Sequence, residues 1–129
     1  MSWLLEKSKR CLKICNDELV DSAWDKNARD IAAFMAEQSL EFLLREVVSE
    51  LGGSYKNYDM SELVRAFQKT GAEFEALPTL IEQAQMYAKW KNSYIMFGTV
   101  SVQPGHIRDC TYVIENLYKA RESLVDKAG

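Results

Sequence analysis

Residues 27–51 read NARDIAAFMAEQSLEFLLREVVSEL, and this stretch decides the fold. It holds no proline and no glycine, so nothing interrupts a helix over seven turns. Its apolar residues recur at helical spacing in two stripes. One carries Ala28, Ile31, Ala32, Met35, the small Ser39 and Phe42. The other carries Ala33, Ala36, Leu40, Leu43, Leu44, Val47, Val48 and Leu51. Two stripes make a broad apolar face, so this helix is expected to touch more than one neighbour. Asp30, Glu37, Glu41 and Arg45 form the remaining polar face. Glu41 and Arg45 stand four apart in the order that favours an ion pair on an exposed helix. Gly52-Gly53 follows and is expected to close the helix with a left-handed cap.

Working toward the N-terminus, Leu4, Cys11, Leu12, Cys15, Leu19 and Val20 share one face of a first helix from Trp3 to about Asp21. Ser2 is its expected N-cap, with Glu6 nearby. Working toward the C-terminus, Asp59 or Ser61 caps a third helix ending near Lys69, with Gly71 beyond it. Pro78 suits the first turn of a fourth helix running to about Ile95, since the N–H it lacks has no partner there. Residues 97–102 alternate and are β-branched, but a lone strand has no partner, so an extended loop is expected. A fifth helix follows from His106 to about Lys127, with Ile107, Cys110, Ile114, Leu117 and Leu124 on one face.

These elements imply an all-α fold: an antiparallel up-and-down bundle of four to five helices, in one domain over residues 1–129. A chain of 129 residues buries roughly two-thirds of its unfolded surface and needs no disulfide or metal to make a core. The formal charge of −3 argues against a general nucleic-acid coat, which would be basic. Three cysteines, an odd count, and no apolar leader or membrane-length run point to the cytoplasm.

The segment 28–45 resembles the second helix of the HEPN family: small residues, a Glu-Gln pair at Glu37-Gln38, then Glu41-Phe42-Leu43-Leu44-Arg45. Tyr58-Asp59-Met60-Ser61-Glu62-Leu63 is similar to the family's His-Asp-Leu-x-x-Leu loop, with Tyr58 where His is usual. The order of helices matches too. The resemblance implies a bundle that dimerises. It also implies a nucleotide-binding or toxin–antitoxin role beside a minimal nucleotidyltransferase. Other members of the family are ribonucleases. Those share an Arg, four to six intervening residues, then a His; the His acts on the 2′-hydroxyl or leaving oxygen and the Arg steadies phosphate charge. Here the lone His106 is preceded at five to seven positions by Ser101, Val100 and Thr99. The motif is absent, so no catalytic residue is assigned. The reading is a non-catalytic or degenerate partner or nucleotide-binding module. The alternative is a HEPN ribonuclease or another enzyme acting on nucleic acid.

Weaker features have two readings each. His106, Arg108 and Asp109 open the last helix, where a nucleotide phosphate could sit; a solvated helix start after a Pro-Gly turn is the plainer account. Cys11 and Cys15 are four apart, but a zinc site wants four ligands and core thiols explain them better, so neither metal nor cofactor is expected. Glu37 and Glu41 are expected on an exposed face steadied by Arg45. Lys7, Lys9, Arg10 and Lys13 are a basic stretch that could meet RNA or merely face water. Tyr87, Trp90 and Tyr94 are candidates for a dimer surface, provided that Trp90 is exposed.

Overall fold

The computed structural model describes residues 2–91 and 101–128. It is 77% helical with no strand among the described residues. Five helices occur among the described residues: α1 (Trp3–Leu19), α2 (Lys26–Glu50), α3 (Met60–Lys69), α4 (Leu77–Trp90) and α5 (Pro104–Ala128). The bundle is all-α, as the periodicity required. The tail of the expected fourth helix, including Tyr94 and Ile95, and residues 97–100 of the expected loop lie outside the described residues. Ser101 and Val102 are not in a strand.

The helix ends follow from local chemistry. Ser2 Oγ accepts from the Leu5 N–H at 3.2 Å, capping α1. Asp25 caps α2, accepting from the Asn27 and Ala28 N–H groups at 2.9 and 3.3 Å. Of the two candidates for α3, Asp59 is the cap, accepting from the Ser61 N–H. At the end of α2 the two glycines do different jobs. Gly52 takes φ +79, which a Cβ would strain. Gly53 N–H then reaches back to Val48 O at 2.8 Å, and Gly52 N–H to Ser49 O at 3.1 Å, the two bonds of a Schellman closure. Gly53 is required for space: a Cβ there would lie 2.9 Å from Val48 Cγ1 and 3.1 Å from Thr70 Cγ2.

Helix α2 is the axis of the molecule, since it contacts all four other helices. That is the outcome its two apolar stripes required. It packs most extensively along α1. There Ser8 Oγ donates to Ser39 O and Ser39 Oγ donates to Ser8 O, each at 2.8 Å. Small side chains let the two backbones approach, and the reciprocal bonds leave neither buried hydroxyl unpaired.

The ambiguous stretch after α3 is anchored rather than loose. Phe74 packs edge-on against Phe67, centroids 5.4 Å apart, and Ala76 N–H donates to Asn116 Oδ1 of α5 at 2.7 Å. Helix α4 starts one residue before Pro78 and buries Leu77, Leu80, Ala84, Tyr87 and Trp90. Helix α5 starts at Pro104, two residues earlier than the periodicity suggested.

One surface expectation is overturned here. Tyr87 and Trp90 are both fully buried, their rings 4.9 Å apart. They are three residues apart and so share a helix face, and that face is packed inside this chain. Neither offers an outer surface to a second subunit.

Candidate functional site

The polar face of α2 does not face water. Asp30, Glu37 and Glu41 are 3%, 1% and 3% exposed. The cause is the central position of α2: it packs against all four other helices, so these acidic residues lie inside while a strip through Ile31, Met35, Phe42 and Arg45 stays partly exposed. Glu41 does not pair with Arg45. Its Oε1 instead accepts from Lys91 Nζ at 2.8 Å, just past the end of α4. Arg45 lies flat over the Tyr58 ring, its Cζ 3.7 Å from the centroid.

Two buried carboxyl groups thus stand one turn apart, and the ammonium of Lys91 is bonded to one of them, Glu41. Gln38 Nε2 donates to Glu37 Oε1 at 2.6 Å and to Glu41 Oε2 at 3.4 Å. Burial, then the charge of Glu41, pushes the Glu37 carboxyl up to about 8; Gln38 and Lys91 pull the other way and Asp59 adds to the rise. At neutral pH Glu37 therefore carries its proton. Burial alone would lower the Lys91 ammonium, but the hydrogen bond to Glu41 and the surrounding carboxylates raise it on balance. A proton held in an enclosed, charged setting marks candidate chemistry. Here the group can act as an acid near neutral pH or as a proton-linked structural element.

At the N-terminal end of the same helix, Lys26, Arg29 and Asp30 face Ser101, Val102 and Gln103 across a cavity of ≈ 220 Å³. Lys26 Nζ is 2.6 Å from Asp30 Oδ2, and Arg29 Nη1 donates to Ser22 O at 2.9 Å. Two cations against one carboxylate beside the start of α5 suit an oxyanion. Linear spacing could not reveal this grouping, because more than 70 positions separate its two sides.

The three residues expected at the start of α5 do not converge. His106 is half-buried in the first turn, its N–H donating to Gln103 O. Arg108 is exposed, about 200° round the helix from His106. Asp109 is committed to the interior, where Oδ2 accepts from Gln83 Nε2 at 3.0 Å while Tyr87 OH donates to Gln83 Oε1 at 2.7 Å. The basic stretch of α1 also disperses: Lys13 pairs with Asp17, Lys9 lies over Tyr118 and Lys7 over Trp3.

Cys15 and Cys110 are fully buried and Cys11 partly so. Burial pushes Cys15 up to about 12 and Cys110 well above the usual thiol range. They are thiols rather than thiolates, poor nucleophiles and poor metal ligands. Among the described residues no three His, Cys, Asp or Glu side chains group as metal ligands would, and no helix is long and apolar enough to cross a membrane.

Comparison with known proteins agrees with the likeness seen in α2 and the loop before α3. Neither the curated proteins nor the solved structures contain a match to this chain. A family model described as HEPN domain matches residues 1–97, a span that takes in α1 to α4 and leaves α5 beyond it. With three-quarters of its length under that match and its helices in that order, the chain belongs to the HEPN domain family.

Proposed function

We propose that this HEPN domain is a non-catalytic, nucleotide-binding partner module. It works as a homodimer, forms one domain over residues 1–129, and is paired with a minimal nucleotidyltransferase in a toxin–antitoxin-like system in the cytoplasm. One observation carries the reading. The lone imidazole, His106, has no arginine five to seven positions before it, and Arg108 points away from it. No hydrogen bond or ion pair joins His106 to an arginine among the described residues. The general acid–base and charge-stabilising roles that RNA cleavage needs therefore lack their arrangement.

Nucleotide binding is supported by the cavity lined by Lys26 and Arg29, where an anion would meet two cations. Equilibrium dialysis with ATP tests it. The wild type is expected to bind, and Lys26→Gln with Arg29→Gln to weaken binding about tenfold or more. Gel assays of labelled RNA are expected to show background cleavage for both wild type and His106→Ala. Cleavage by the wild type that is lost specifically in His106→Ala would establish the ribonuclease alternative instead.

A further inference from the structure

An unbroken series of cations and aromatic rings crosses α1, α2 and the loop before α3. Lys7 Nζ lies over Trp3, 5.6 Å from the centroid. Trp3 meets Phe42 edge-on at 6.1 Å. Arg45 Cζ lies 5.7 Å from Phe42 and 3.7 Å from Tyr58, and Tyr58 meets Tyr55 at 5.9 Å. The ridge is at the surface: Trp3 is 59% exposed and Tyr58 51%.

Its two cations are spent on rings rather than on carboxylates. Among the described residues no ion pair reaches Lys7 or Arg45, and Arg45 Nε is buried without a hydrogen-bond partner. Arg10, one turn beyond Lys7, and Lys56 in the loop are exposed on the same elements. Of the acids nearby, Glu41 is paired with Lys91, while Glu46, whose Oε1 accepts from Ser2 Oγ at 2.7 Å, Glu6 and Asp59, the cap of α3, have no cationic partner in an ion pair among the described residues. A chain of net charge −3 thus sets four cations, Lys7, Arg10, Arg45 and Lys56, against the three acids Glu6, Glu46 and Asp59 along this rim, and its two ring-stacked cations are in no ion pair among the described residues. Arginine stacked on tyrosine beside an exposed tryptophan is also the composition of an interface centre.

We propose that this ridge docks an extended acidic segment of a partner protein, its carboxylates meeting Lys7 and Arg45 while its backbone lies across Trp3, Phe42 and Tyr58. About seven residues of extended chain would span it. A single-stranded nucleic acid fits less well. Bases need open ring faces, and here Lys7 and Arg45 occupy faces of Trp3 and Tyr58. The negative net charge also opposes a polyanion. This docking surface rests on the partner-module reading, but it lies on other residues than the nucleotide cavity, so the two fail separately.

The full chain is titrated, by fluorescence anisotropy at low salt, with a labelled octapeptide alternating Glu and Ser, its Gln counterpart, and octauridylate. The Glu peptide is expected to bind at least about tenfold more tightly than either of the others. Lys7→Gln and Arg45→Gln should each weaken it about three- to tenfold, with the Trp3 indole resonance shifting on binding. Lys26→Gln with Arg29→Gln should leave it unchanged, whatever becomes of ATP binding. Lys7 is exposed and lies over the exposed Trp3, so its variant keeps the test sound even if Arg45→Gln unfolds. Absent binding of the Glu peptide, equal affinity in the Lys7 variant, tighter binding of octauridylate, or a ridge whose variants alter self-association instead would each overturn the proposal.

Discussion

Glu37→Gln keeps the size of the buried side chain and the oxygen that accepts from Gln38, and it removes the titration. In the folded chain the Glu37 carboxyl holds its proton up to about 8, against an ordinary 4.5. The unfolded chain releases that proton at the ordinary value, so the folded state binds protons more tightly in between. The stabilisation is complete below about 4.5 and is lost as pH rises through 8. At ~1.4 kcal/mol per pH unit, the interval from 4.5 to about 8 bounds the loss at about 5 kcal/mol. That is a large share of an ordinary domain's stability. The amide cannot ionise, so the variant should match the wild type at pH 5 and exceed it by several kcal/mol at pH 9. Urea unfolding followed by circular dichroism at pH 5, 6.5, 8 and 9 reads the difference directly. Titrating groups that do not interact with Glu37 are common to both proteins and cancel in the subtraction. Parallel stability curves for the two proteins would refute a proton held on Glu37 by burial and by Glu41.

Two further perturbations test the packing. Trp90→Ala should lower stability by about 3–5 kcal/mol in a thermal or urea melt while leaving the oligomeric state seen by light scattering unchanged, because the ring is wholly inside the chain. Gly53→Ala should cost about 1–3 kcal/mol by crowding Val48 and Thr70, and Gly52→Ala about 1 kcal/mol through its positive φ alone; reversal of that order in urea melts would mean that Val48 gives way.

What could be read along the chain was whatever depends on near neighbours. Ser2 and Asp59 cap, Pro78 enters a first turn and Gly52 takes a left-handed turn because each interaction closes within about five residues. The double stripe of residues 27–51 likewise announced a central helix, since periodicity reports how many sides need cover. The same stripe misled about its polar residues. Glu37 and Glu41 fit an exposed face by spacing, and only the packing of other helices against that side of α2 buried them. Lys91, fifty residues on, displaced Arg45 as the partner of Glu41. Trp90 went inside for the same reason. The anion cavity sets Lys26 and Arg29 against the approach to α5, and the ridge joins the first turn of α1 to Arg45 and Tyr58. Contacts across such separations are decided by which helix faces meet, a choice that the energy of the whole packed core makes and that no local spacing encodes.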